Sequence, residues 1–305
     1  MPLSRALTPM VPFTLAMMGR CGRIPLPALQ RAGRRLGRLI LRLDRRHRRI
    51  VLQNLRFVFG QDHPAGDLAR MATGVFESLG QIPLEVCWSL GLDPREWKTY
   101  FRISGLEHYR QAAAQGRGVL CLTAHFGNWE LLPIVGAMAE VPLHVVYRPL
   151  DALLLDDLVG RIRQRFGAVL IPKKRSIFKI QRVLRRGECI AILLDQNVDW
   201  YEGVFVDFLG HRACTSKGLA TLSILSRAPV VPVFLVREGA GFHARFDPPL
   251  DPIVTGDRIR DLEENTARYN QAIAACVRRY PEQWFWVHQR WKTRPYHPIP
   301  HRSGS

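Results

Sequence analysis

No run in the 305-residue chain approaches the ~20 consecutive apolar residues that a membrane-spanning helix needs, which excludes a polytopic membrane protein. Acids are scarce: 26 Asp plus Glu stand against 44 Lys plus Arg, for a net charge of +18. That imbalance suits an acidic partner, such as nucleic acid, anionic lipid, a phosphorylated substrate or an acidic carrier protein. Only six cysteines occur, none in a CxxC pair and no zinc-ligand set among them, so they read as buried free thiols in a reducing compartment. The glycines show no triplet period, which excludes collagen. There is no GxSxG elbow, so a serine hydrolase lacks its nucleophile; no P-loop and no GxGxxG argue against nucleotide binding. Internal repeats and low-complexity linkers are missing too. What is present, 47% hydrophobic and 23% charged residues, excludes a disordered chain and suffices for one large α/β domain or two smaller ones.

The amino-terminal stretch 6–18 is uncharged and mostly apolar, but short and interrupted by Pro9 and Pro12. It reads as an uncleaved hydrophobic anchor or as a helix packed on the domain. Leu26, Leu29, Gly33, Leu36, Leu39, Ile40 and Leu43 then recur at helical spacing and predict a single apolar face. Twelve arginines against one acid, Asp44, lie between Arg20 and Arg56. A basic amphipathic helix of this kind lies on an anionic bilayer; the competing reading is a solvated helix with its apolar face turned inward. Residues 1–48 are therefore expected to form a membrane-associating helical extension, and residues 49–305 a catalytic domain.

Helices are expected over 49–59 and 68–90, a strand over 100–103 and a helix over 107–114. Strands over 119–123, 143–147, 168–171, 189–194 and 230–236 then alternate with helices over 129–139, 153–166, 177–185 and 217–226. A strand over 243–246 and a helix over 261–280 close the pattern. The alternation predicts an α/β fold with a mainly parallel, mixed sheet covered by helices.

Ligands of open α/β sheets bind beyond the carboxyl ends of strands. After the apolar strand 119–123 comes Ala124-His125-Phe126-Gly127-Asn128-Trp129-Glu130. His125 leaves the strand end, Gly127 permits a tight turn, and Glu130 falls in the first turn of the next helix. A histidine there can accept a proton from a substrate hydroxyl, and a carboxylate returned against it can hold the ring.

The segment Thr123-Ala124-His125-Phe126-Gly127-Asn128-Trp129-Glu130 resembles the His-x4-Asp/Glu motif of glycerolipid-type acyltransferases, and more narrowly the bacterial lipid A biosynthesis acyltransferases of the lauroyl and myristoyl transferase group. Four further blocks are similar to that family's: Tyr147-Arg148-Pro149, Leu194-Asp195-Gln196-Asn197, the glycine-bounded aromatic block at 203–210 with Thr215, and the carboxyl-terminal block at 286–295. Leu209 stands where an aromatic is usual and Gln289 where a basic residue is usual.

The resemblance implies transfer of a fatty acyl group from acyl carrier protein, or coenzyme A, to a hydroxyl of a phosphorylated lipid A precursor, with no cofactor beyond that donor. It implies a site at the cytoplasmic face of the inner membrane. His125 is the expected general base and Glu130 its orienting partner. Arg148 is expected to bind a substrate phosphate or the thioester oxygen. Asp195 is expected to position Arg148 or the acceptor, or to sit in a buried structural ion pair. Phe126, Trp129, Phe205 and Phe208 are candidates for an acyl groove. Lys173, Lys174 and Arg175 lead a stretch, 171–186, with seven basic residues and no acid, which suits docking of an acidic carrier protein or anionic lipid. Arg290, Lys292 and Arg294 are expected to add to a phosphate site. Rival readings are an acyltransferase for another phospholipid, glycolipid or aminolipid, an inactive lipid-binding relative, and a basic nucleic-acid-binding protein. The last lacks any nucleic-acid motif, so nucleic acid is not an expected partner.

Overall fold

A computed structural model describes residues 10–149, 151–174 and 176–295 of the chain. Four helices come first: α1 (Met10–Gly19), α2 (Leu26–Leu43), α3 (Arg45–Phe59) and α4 (Ala65–Leu90). Then follow β1 (Phe101–Ser104), α5 (Leu106–Ala113), β2 (Val119–Thr123), α6 (Leu132–Met138), β3 (Leu143–Tyr147), α7 (Leu153–Arg165), β4 (Val169–Pro172), α8 (Ile177–Arg185) and β5 (Cys189–Leu193). A hairpin, β6 (Gly203–Phe208) and β7 (His211–Ser216), precedes α9 (Gly218–Ser226), β8 (Val230–Glu238), β9 (Gly241–Phe246) and α10 (Arg258–Arg279). The α/β fold with a mostly parallel, mixed sheet flanked by helices is as the alternation predicts.

The seven-stranded sheet has the order β1-β9-β8-β2-β5-β3-β4. Strands β8, β2, β5, β3 and β4 run parallel, while β9 and β1 run the other way. Every residue of β2 is buried. Leu120 and Leu122 face one apolar layer with residues of α4, α8, α9 and α10, and Val119 and Cys121 face the other with residues of α2, α6 and α7. The period-two alternation within a wholly apolar strand is what a sheet covered on both faces requires.

The β6–β7 hairpin was not legible as strands. Its glycine-bounded aromatic sequence turns at Leu209 and Gly210, both with positive φ, and it pairs from Gly203↔Ser216 to Phe208↔His211. Within the hairpin, Phe208 is fully buried.

Helix α2 differs from the expected amphipathic face. The side turned to α4 runs through Leu26, Leu29, Gln30, Gly33 and Gly37. A Cβ on Gly37 would stand 2.0 Å from the carbonyl oxygen of Phe76, and one on Gly80 would stand 2.3 Å from that of Gly33. The glycines thus let the two backbones touch. That contact rotates α2 so that Leu36, Leu39, Ile40 and Leu43 point to solvent among the arginines. No helix among the described residues is long and apolar enough to cross a membrane.

Candidate active site

The β2–β5 register builds the site. Thr123 pairs with Leu193, and the Leu194 amide donates to the Thr123 carbonyl, so the two chains leave the sheet side by side. Two residues further along each chain lie His125 and Asp195. The Asp195 carboxylate accepts from His125 Nδ1 at 2.8 Å and from the His125 amide at 3.0 Å. A third donor, the Trp284 indole, reaches it at 2.8 Å. Burial pushes the Asp195 carboxyl up, but the charge of a protonated His125 ring and these three hydrogen bonds outweigh it and hold the group below the usual carboxylate range. With Nδ1 donating to a carboxylate, Nε2 is the free lone pair of the neutral ring. It lies at the rim, where the exposed Gln196 side-chain amide donates a long hydrogen bond to it at 3.4 Å.

Glu130 is not the carboxylate on that ring. Its oxygens accept from Arg163 Nε and Nη2 at 2.8 and 2.7 Å, and from the Trp129 indole at 2.9 Å. Residue 130 sits in a single 3-10 turn, Trp129–Leu131, ahead of α6, and points across to α7 rather than back to the strand end. Trp129 itself packs edge-on against His125, with ring centroids 5.0 Å apart. Glu130 therefore meets the His125 ring only indirectly, through Trp129.

Gly127 makes the turn between these groups. Its φ is +58°, and a Cβ there would stand 2.0 Å from the Leu235 carbonyl oxygen. A carboxyl-terminal strap closes over the turn: Gly127 N donates to Gln283 O, and Phe285 N to His125 O. The strap brings Phe285 to 5.7 Å from the His125 ring, a contact no sequence signal announced. It also brings His288, whose Nε2 accepts from the Asn197 amide at 2.7 Å. Burial pushes His288 down to about 4, so it is neutral at ordinary pH. The unfolded chain takes up this proton near ~6.5, so between that value and 4 the unfolded state binds more protons. The melting temperature should fall on acidification through this window. His288→Gln should flatten that slope in a pH series of thermal scans; an unchanged slope would mean other groups set it.

Asp195 does not hold Arg148. The Arg148 guanidinium is solvent-exposed beyond β3 and, among the described residues, pairs with the exposed Asp151 at 3.8 Å. Arg290 is fully buried, so it cannot form part of an open phosphate site. It donates to Cys214 O at 2.8 Å and to Thr215 Oγ1, lies over the Phe208 ring, and reaches Gln196 O at 3.5 Å. Burial lowers its pKa to about 10, which still leaves it charged at neutral pH. It thus braces the chain just after Asp195. Lys292 and Arg294 are exposed. Phe126 and Phe208 belong to the core, while Trp129 and Phe205 are half-buried. Lys173 and Lys174 are exposed beyond β4; Arg175 lies outside the described residues.

The model of the bacterial lipid A biosynthesis acyltransferase family matches residues 5–293. The chain belongs to this family. It is 31% identical over 276 residues to the lipid A biosynthesis lauroyltransferase of Escherichia coli, covering 90% of this chain and 88% of that one. Against the palmitoleoyltransferase of the same organism, identity is 28%, covering 93% and 91% of the two chains. A phosphatidylinositol mannoside acyltransferase of Mycobacterium tuberculosis is 26% identical, covering 76% of this chain and 77% of its own length. The protein is thus an acyltransferase, and the family's His-x4-Glu motif holds the histidine at the β2 exit.

Proposed function

We propose that the protein transfers a fatty acyl group from acyl carrier protein or coenzyme A to a hydroxyl of a phosphorylated lipid A precursor at the cytoplasmic face of the inner membrane. The observation that carries this reading is the Nε2 of His125 at the rim, touched by the exposed Gln196 amide alone among the described side chains, with Asp195 behind Nδ1. The acceptor hydroxyl gives its proton to Nε2 as its oxygen attacks the thioester carbonyl carbon. The C–S bond breaks, and the leaving thiolate takes the proton back from the imidazolium, whose charge Asp195 offsets. No cofactor enters this step. Arg148, Lys292 and Arg294 are the exposed cations available to acceptor phosphates, which they would meet by charge-assisted hydrogen bonds. The outward leucines and arginines of α2 support membrane association, since that pairing of apolar and cationic groups suits an anionic interface.

The test is transfer by purified protein from acyl carrier protein and from coenzyme A, in separate reactions, to a lipid A precursor in mixed micelles. The expected product is heavier by one acyl chain. Acylation of a phosphatidylinositol mannoside, with the lipid A precursor left untouched, would move the acceptor to that glycolipid class.

A further inference from the structure

Three neighbouring strands, β5, β3 and β4, each release an exposed apolar side chain beyond their carboxyl ends. Past β3 comes Leu155, 52% exposed; past β4, Phe178, 80% exposed; past β5, Trp200, 71% exposed, with Tyr201 packed edge-on against it. Strand β2, which delivers His125, is the next neighbour of β5, so these residues share the rim on which Nε2 opens. Two of the loops form one edge: Lys173 Nζ pairs with Glu202 at 3.0 Å, and Lys217 Nζ donates to Tyr201 O at 2.9 Å. Exposed Lys174, Lys179 and Arg182 lie within four residues of Phe178 in sequence, while Asp156 and Asp157 follow Leu155 and Asp199 and Glu202 flank Trp200 and Tyr201.

We propose that this aromatic and cationic edge is a second membrane seat, distinct from α1 and α2, which inserts Phe178 and Trp200 at the headgroup level of an anionic bilayer and turns the His125 rim toward lipid. Exposed large apolar groups at the starts of α7 and α8 and on the loop after β5 gain only by leaving water. Phe178, with Lys174, Lys179 and Arg182 near it in sequence, matches a bilayer interface, where aromatic rings sit among headgroups and lysines meet lipid phosphate, and Trp200 and Tyr201 join it through the Lys173–Glu202 pair. An acidic carrier protein would be satisfied by the lysines and would leave the exposed Phe178, Trp200 and Tyr201 unexplained. The inference deepens the reading that the acceptor is a membrane lipid. The quenching arm of its test reads lipid contact without turnover, so either can fail alone.

The full chain is mixed with vesicles of phosphatidylcholine containing phosphatidylglycerol, with bromine on the upper acyl carbons. Bromine quenches only indoles at the interface, so the readout stays local even if the amino-terminal helices hold the protein on the vesicle. Wild type should be quenched, and Trp200→Phe should lose a large share of that quenching. Phe178→Ser should raise the apparent KM for acceptor presented in vesicles several-fold and leave it unchanged for acceptor in detergent micelles. Equal quenching of wild type and Trp200→Phe would overturn the proposal. So would a Phe178→Ser effect that appears in both presentations as a raised KM for acyl carrier protein, which would assign the edge to the carrier.

Discussion

His125→Ala should lower single-turnover acyl transfer by ~10²–10⁴-fold while circular dichroism stays unchanged, because a positioned base contributes about that much. Asp195→Asn should cost a comparable factor: the amide keeps the shape, but it no longer favours Nδ1–H or offsets the imidazolium charge. The His125→Ala/Asp195→Asn double variant should be little worse than His125→Ala, since residues acting as one unit are not additive. Glu130→Ala should behave differently. It releases Arg163 and Trp129, so its loss should multiply with that of Asp195→Asn. The sign of the Asp195 shift adds a further check. Its pKa is depressed in the folded protein, so its stabilising contribution is present above the unfolded carboxylate value and is lost as pH falls through the folded one. Removing the His125 ring takes away its charge and one of the three hydrogen bonds that offset burial, and acid sensitivity should then begin at a higher pH than in wild type. A folded His125→Ala protein within a few-fold of wild type would return the search for a base to another strand end.

Glu85→Ala should destabilise the fold by about 3–5 kcal/mol, because breaking a buried pair strands its partner. Glu85 is fully buried on α4 and accepts from Arg237 Nε at 2.7 Å and Nη2 at 2.8 Å. It also accepts from Asn128 at 2.9 Å and from Gln30 at 3.2 Å, while Arg237 Nη1 reaches Ser78 at 2.8 Å. One cluster thereby joins α2, α4, β8 and the turn after His125. Truncating Glu85 leaves the Arg237 cation without a counter-charge and leaves the Asn128 amide only its bond to the Ile82 carbonyl. Glu85→Leu with Arg237→Met, of similar bulk, should recover most of the loss in melting temperature. It should not recover full activity, because the Asn128 turn stays unbraced. If the double replacement melts as low as Glu85→Ala, volume rather than charge governs the site.

Much of the fold was legible because its signals are local. Apolar strands such as Val119–Thr123 and Cys189–Leu193 are bounded by glycine and polar turns, and the alternation with helices implies a parallel sheet. The β6–β7 hairpin was not legible, since its aromatics and half-buried positions carry no clean alternation. His125 could be found from its place after a buried strand. Its partner could not, because that depends on strand order: β5 follows β2 by some seventy positions in sequence yet lies beside it in register. Had that pairing been known, an equal offset of two residues would have put Asp195 opposite His125. Glu130 was the nearer carboxylate in sequence, but a 3-10 turn aims it at Arg163, whose position on α7 sequence spacing does not reveal. Arg290 illustrates the same limit. In sequence it shares a basic run with Lys292 and Arg294, yet the hairpin and the strap bury it completely.

Nitrogen NMR of the His125 ring, in protein labelled at histidine and assigned by comparison with His125→Ala, tests the centre of the account most directly. The account predicts that the ring in its neutral form keeps its proton on Nδ1 and carries none on Nε2, and that this preference is lost in Asp195→Asn but not in Glu130→Ala. A proton resident on Nε2 of the neutral ring in the wild-type protein, or a tautomer that responds to Glu130 and not to Asp195, would contradict it.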